Sequence, residues 1–459
     1  MMHILAIDWA MVGIKVAQFI LSLSILIILH EFGHYITARW FGCRVEKFYL
    51  FFDPWFSLFK KKVGDTEYGI GWLPLGGYVK ISGMIDESMD TEALKQEPQA
   101  WEFRSKPAWQ RLIIMLGGII MNVIVAILIY SMVLFVWGES KIPMSSLKYG
   151  VSFQDSLLLQ VGFQNGDRIK SVDGKKIEYL EETALKIFMG KSAVVERNGT
   201  AVNLIFPEDL IGKLIENKKR NSGMLLPRTP AIIGPIQELS DPSPIKKAGA
   251  LQGDRILAID GQGLTYFDEI KPIVSASKNK TVQVQILRGI DTMMLTSTLT
   301  DEKRLGVLPI LSEDTLVRLG LMQVITKKYG FAESFPAGFK RTGEKLGEYI
   351  DQFKKILSPK TGAYKGLGGF KAIANAFPAV WDWESFWSIT ALLSIILAFM
   401  NLLPIPALDG GHVMFTLYEM ITRRKPNEKF LEYAQMAGMI FLLLLMVYAN
   451  ANDWLGWGK

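Results

Sequence analysis

Two histidines at helical spacing enclose a glutamate in His30-Glu31-Phe32-Gly33-His34, inside the apolar run ILIILHEFGHYITARW of residues 25–40. On a helix, positions i and i+4 share a face with Cβ atoms about 5–6 Å apart. Two imidazoles so placed can grip one ion at Zn–N distances of about 2.0–2.1 Å. Glu31 then stands beside the ion, placed to take a proton from a bound water without itself ligating. Ionisable groups within a spanning segment cost about 2.5–3.5 kcal/mol each on the insertion scale and mark functional sites by default. The alternative is a polar cluster snorkelling at a helix end. The sequence holds only four histidines, His3, His30, His34 and His412, so a pair in register is notable. Its single cysteine, Cys43, excludes an intrachain disulfide and a cysteine-based zinc site.

A catalytic zinc takes a third protein ligand and keeps one position open. Late in the chain, MNLLPIPALDGGH contains Asn401, Pro404, Pro406, Asp409, Gly410, Gly411 and His412. Two prolines break a helix inside hydrocarbon and free backbone groups that need partners or water. Asp409 follows that break as a candidate carboxylate ligand; alternatively it caps a helix over 410–420. His412 is expected on the surface of that helix or behind a ligand.

These residues need a membrane scaffold, and the composition supplies one. The chain has 459 residues, enough for several domains, and 49% of them are hydrophobic. Mean hydropathy is positive. The net charge of +6 is modest, and no Lys/Arg stripe with interleaved aromatics appears, which points to anionic lipid and away from nucleic acid. Four stretches, 13–39, 111–137, 385–406 and 431–450, reach the roughly 20 apolar residues that a span needs. The first lacks a basic leader and a small-residue cleavage site, so it is expected to stay as an uncleaved helix. Arg39, Arg44 and Lys47 follow the first stretch; Arg104, Lys106 and Arg111 precede the second; Arg423, Arg424, Lys425 and Lys429 lie between the third and fourth. The positive-inside rule makes these two connections cytoplasmic and puts both termini and the long segment 138–384 outside. The His30/His34 pair then lies toward the cytoplasmic end of its span.

Between the first two stretches, EYGIGWLPLGGYVKI (67–81) is rich in glycine and β-formers without helical period, and reads as a hairpin or looped strand turning near 74–77. Residues 86–98 read as a solvated acidic loop. The long outer segment repeats itself. Gly166-Asp167-Arg168-Ile169 with Asp173-Gly174 returns as Gly253-Asp254-Arg255-Ile256 with Asp260-Gly261. One small domain separates the copies, so this is a tandem duplication. The pattern resembles bacterial PDZ domains, with the Asp-Gly as a hairpin turn. The first copy is the weaker match, lacking the Ala248-Gly249 that precedes the second. Beyond about 311 the chain becomes helical and amphipathic, with Phe339, Leu346, Ile350 and Phe353 expected on one face. WDWESFW (381–387) reads as an interfacial aromatic belt.

The H-E-x-x-H on the first stretch and N-x-x-P-x-P-x-L-D-G, Asn401 to Gly410, on a later one together resemble the site-2 protease family of intramembrane zinc metalloproteases. The tandem repeats make the chain similar to its bacterial, sigma-E-regulating members in particular. The resemblance implies Zn2+ held by His30, His34 and Asp409, with Glu31 as catalytic acid/base. The family's G-x-x-x-N element is matched by Gly118 and Asn122, with Ile119 where proline is common. Asn401 and Asn122 are candidates to hold the substrate backbone or an oxyanion. The resemblance further points to a membrane-entering β-loop with Gly76, Gly77, Tyr78 and Val79 on its returning arm, whose edge could pair with an unwound substrate. It implies cleavage of single-span proteins, such as a pre-trimmed anti-sigma factor and signal-peptide remnants, in regulated intramembrane proteolysis. It implies a bacterial inner membrane, with the zinc near the cytoplasmic side and the repeats as a periplasmic size filter.

The expected fold is thus a multi-span α-helical membrane protein with four transmembrane helices, a membrane-associated β-hairpin or loop and two small α+β PDZ-like domains. Its parts are 1–138, with the first two helices, the H-E-x-x-H motif and the β-loop; 139–222 and 223–310, the PDZ-like domains; 311–384, an amphipathic region at the outer face; and 385–459, the last two helices. The rival functions are a non-catalytic membrane scaffold whose PDZ-like domains bind peptides, and a metal transporter, which four spans without a hydropathy repeat disfavour.

Overall fold

The computed structural model describes residues 8–74, 76–84, 97–217, 225–234 and 243–455, apart from the Glu428 side chain. The acidic loop expected at 86–98 lies almost wholly outside them. Among the described residues, four helices are long and apolar enough to cross a membrane: Trp9–Trp40, Ala108–Val136, Trp383–Leu402 and Lys429–Leu455. The chain divides into two compact units. One comprises Met1–Gly138, Lys328–Leu357 and Lys365–Lys459, and the other Glu139–Lys327 with Ser358–Tyr364.

In the first unit the opening helix starts where Asp8 caps it, its Oδ1 accepting the N–H groups of Ala10 and Met11 at 3.1 and 3.2 Å. It meets the second spanning helix at Gly33 and Gly117. A Cβ on either glycine would overlap the other's carbonyl, so the two backbones touch at that point. Buried hydroxyls fasten the third spanning helix to the first two. Thr390 Oγ1 donates to Ser22 Oγ at 2.9 Å, and Ser394 Oγ to the Asn122 carbonyl at 2.7 Å. In a hydrocarbon setting such hydrogen bonds contribute about 0.6 kcal/mol each.

The third spanning helix ends at Leu402, a turn earlier than hydropathy suggests, because Pro404 cannot continue it. The chain turns through Ala407, at φ +84°, into the short helix Asp409–Thr422. Glu419 on that helix pairs with Arg111 at the start of the second spanning helix, at 2.6 Å, with both side chains largely buried.

The β-rich stretch is not a hairpin turning at 74–77. Strands β1 (Val45–Leu50), β2 (Phe59–Val63), β3 (Thr66–Ile70) and β4 (Tyr78–Ile81) form one sheet in the order β2-β3-β1-β4. β1 lies between β3, its parallel neighbour, and β4, its antiparallel one. The hairpin is β2–β3, with Val63 opposite Thr66 across Gly64-Asp65 and Gly64 at φ +61°. A run of three lysines hid β2 from a propensity reading. β4 is a sheet edge.

The amphipathic helix Phe331–Ile356 packs on the spanning helices by a face that only partly matches the expected one: Leu346 and Phe353 pack inward and Phe339 does not. Ser334, Gly338 and Thr342 are its buried residues, with Gly338 against Ser131, while Tyr349 and Phe353 meet Phe399 edge-on. Phe339 points outward. Small residues permit closer approach than a phenylalanine ridge would.

The second unit carries the repeat into three dimensions. Strands 168–172, 175–176, 192–197 and 200–205 form a sheet whose order is matched by 255–259, 262–263, 281–288 and 291–298. Asp167 accepts from Arg197 Nε and Nη2, both at 2.8 Å, and Asp254 from Arg288 at 2.9 and 2.7 Å. That hydrogen-bonded guanidinium holds the Asp254 carboxyl below its ordinary range. The first copy is not short of its glycine. Gly162 stands where Gly249 does, both at positive φ, and both carbonyls accept from the paired arginine. Leu316, Leu321 and Met322 complete the core of the first half, which brings 311–327 into this unit.

Candidate metal centre

The helical period of the first span turns His30 and His34 to one side, and the proline break brings Asp409 to meet them. His30 Nε2 and His34 Nε2 each lie 3.3 Å from Asp409 Oδ2. The two nitrogens are 3.4 Å apart. Four ligands at about 2.0–2.1 Å on a tetrahedral zinc stand about 3.3–3.4 Å from one another, so these three atoms form one face of such a tetrahedron. Among the described residues this is the one His/Cys/Asp/Glu cluster with metal-ligand geometry.

The surroundings fit a metal as well. Asp409 Oδ2 is buried and has no hydrogen-bond partner, a costly state for a carboxylate oxygen unless a cation claims it. His34 Nδ1 lies 2.9 Å from the Ile114 carbonyl and donates its proton there, which leaves the Nε2 lone pair facing Asp409. Gly118 makes the space: a Cβ there would overlap His34 Nε2 and reach 2.5 Å from His30 Cε1. Asp409 is the first residue of its helix, after Leu408 in the cap position, and its side chain makes no capping bond. The geometry therefore favours the ligand reading over the cap. His412, one turn along, stands outside the converging set.

Glu31 is on the same helix, beside the ligands. A Cβ on Gly77 would come within 3.6 Å of Glu31 Cγ, so the entry to β4 touches the turn that carries Glu31. Tyr78 points away, donating to Asp53 Oδ1 at 2.9 Å. Gly76 packs under Phe52. Asn401 Nδ2 lies 3.3 Å from His30 Nε2, at the edge of the triangle. Asn122 is fully buried, its amide nitrogen 3.1 Å from His30 Nδ1, on the other side of that ring. No sequence pattern points to Ile114, whose contribution is a backbone carbonyl, or to the Arg111–Glu419 pair, whose partners are distant in the chain.

A membrane-spanning helix bundle with a largely enclosed two-histidine, one-carboxylate triangle and an adjacent glutamate has the make-up of a membrane metalloprotease. The model of peptidase family M50 matches residues 18–445. The chain is 30% identical to the regulator of sigma-E protease RseP of Escherichia coli K12, over 95% of this chain and 97% of the relative. It is 29% identical to a protein of Vibrio cholerae serotype O1 named as a candidate zinc metalloprotease, over 95% and 97%, and to protease RseP of Yersinia pestis, over 96% and 98%. The chain belongs to peptidase family M50. It is a zinc metalloprotease.

Proposed function

We propose that this protease cuts single-span membrane proteins inside the bilayer, with a pre-trimmed anti-sigma factor and signal-peptide remnants as its substrate classes, in regulated intramembrane proteolysis. The convergence of His30, His34 and Asp409 among apolar spanning helices carries the reading, and the likeness to a regulator of sigma-E protease supports the substrate class. His30, His34 and Asp409 hold the zinc. Bound there, zinc supplies a Lewis acid and a water whose pKa falls to about 7. Glu31 takes the proton from the attacking water and delivers it to the leaving amide nitrogen, work worth about 10²–10⁴-fold. Asn401, at the edge of the triangle, offers amide N–H groups to the scissile carbonyl without adding charge.

A helical substrate must unwind before its carbonyls can be reached, and each backbone group exposed in lipid costs several kcal/mol. β4 answers that cost. It is a sheet edge beside Glu31, and the segment Gly76-Gly77-Tyr78-Val79 pairs with the unwound substrate by strand addition. The two repeated halves of the second unit are PDZ-like and act as a size filter on the periplasmic side. The enzyme resides in the bacterial inner membrane, with both termini outside and the metal toward the cytoplasmic face, as the placement of cations around the spans supports.

The test is purified protein with a model transmembrane substrate, with and without a chelator. Cleavage that stops on chelation and returns with Zn2+ is expected. A zinc-loaded, folded protein that cuts no membrane substrate would favour the scaffold reading.

A further inference from the structure

His30 meets an asparagine on each of its ring nitrogens. Asn401 stands at Nε2, the atom of the metal triangle, and Asn122 at Nδ1, at 3.1 Å. A neutral imidazole carries one proton, so what holds Nδ1 decides whether Nε2 presents a lone pair or an N–H to the triangle. For His34 the Ile114 carbonyl settles this by accepting from Nδ1. No backbone carbonyl does so for His30 among its hydrogen bonds to described residues. Asn122 can. Its side chain is buried, its backbone is held by Ser394, and its Oδ1 has no hydrogen-bond partner. A half-turn of the amide exchanges Oδ1 and Nδ2 without changing the shape of the side chain. With Oδ1 toward the ring, Asn122 accepts Nδ1–H, and Nε2 turns its lone pair on the ion. With Nδ2 toward the ring, the proton is driven to Nε2 and the ligand position is blocked.

We propose that Asn122 is a positioning residue that fixes the His30 tautomer and so sets the zinc affinity of the site. The role rests on the reading of His30, His34 and Asp409 as the zinc ligands. It replaces the expected substrate contact, which a fully buried side chain behind the ring is badly placed to make. It also gives the spacing of Gly118 and Asn122 a physical meaning: one residue clears room for the two rings, and the other, a turn later, grips one of them.

The test uses the full chain in detergent, with Zn2+ affinity read by chelator competition. Four histidines in the chain make a 15N-histidine spectrum assignable. Metal-free wild type is expected to show His30 protonated at Nδ1. Asn122→Leu, which fills the space without an acceptor, should lose that tautomer and weaken zinc binding about 10- to 100-fold. Asn122→Asp, which can only accept, should keep the tautomer and bind zinc at least as tightly as wild type. A merely structural asparagine would suffer from both substitutions alike. Equal weakening in Leu and Asp variants, or an unchanged tautomer and affinity in the Leu variant, overturns the role of Asn122 and leaves the metal site standing. A wild type whose zinc stoichiometry does not depend on His30, His34 and Asp409 overturns the site and this role together.

Discussion

Glu31 and Asp409 are both acids at the metal triangle, yet their placements call for opposite responses to neutralisation. Glu31 stands beside the ligands, so Glu31→Gln should lower cleavage by about 10²–10⁴-fold while zinc content measured on the same preparation stays at wild-type level. Turnover near wild type would remove Glu31 from the proton path. Asp409 presents an unpaired buried oxygen to two imidazoles. Asp409→Asn should weaken zinc by more than the 10–100-fold that an outer hydrogen-bond partner is worth, and activity should fall with it. Asparagine caps a helix about as well as aspartate, so intact zinc binding in that variant would restore the cap reading. Gly118→Ala places a methyl where the rings lie, and forcing a methyl into a packed site costs about 1–3 kcal/mol. Loss of zinc affinity is expected, and unchanged affinity would mean that the rings are not confined as described. At this scale the sequence was most legible where spacing alone carried the chemistry. His30 and His34 follow from one helical turn, whereas the contact of Asn122 with His30 joins two helices that no local pattern relates.

The elements that position the site were legible in kind and less so in arrangement. Four apolar runs announced four helices, but the break at Pro404 and the short helix that delivers Asp409 had to be seen, since hydropathy runs on past Leu402. The β-loop shows why. Its hairpin turn is Gly64-Asp65, flanked by a lysine-rich strand that no propensity rule favours, while the glycines at 76 and 77 serve close approach and not a turn. The sheet order leaves β4 at an edge next to Glu31, and this gives strand addition a definite form. In a paired strand, N–H groups alternate between the two sides, and proline is tolerated only where its missing N–H is not needed. Proline placed in turn at Gly77, Tyr78, Val79 and Lys80 should therefore alternate between mild and severe loss of cleavage. Zinc content should stay normal throughout. Four uniformly mild effects would rule out strand addition on this arm.

For the molecule as a whole, the duplicated motif was plain because the same residues recur at the same offsets, and each copy carries the same strand order and an Asp–Arg bridge. Less visible was where the second unit stops. Residues 311–327 carry no repeat motif, yet they fill the core of the first half and end in a strand that returns to its beginning. Strand 325–327 pairs antiparallel with 139–141, with Lys327 opposite Glu139. Directly opposed residues on such a pair lie about 4.5–5.5 Å apart, so the main segment of the unit, 139–327, enters and leaves through one rung of a ladder, while Ser358–Tyr364 joins the unit from later in the chain. Excising 139–327 and joining Gly138 to Lys328 through two or three glycines should then leave the spanning helices and the metal triangle undisturbed, which a cut at 310 would not. No described cluster of His, Cys, Asp and Glu with ligand geometry lies in the excised part, so catalysis should survive. If the unit is a size filter, the shortened protein should cut a trimmed substrate at close to the wild-type rate. It should also cut one that still carries a bulky outer domain, which wild type refuses. Both rates are read against zinc content in the same vesicle preparation. A folded, zinc-loaded excision protein that cuts neither substrate would instead make the unit part of substrate engagement and end the filter model.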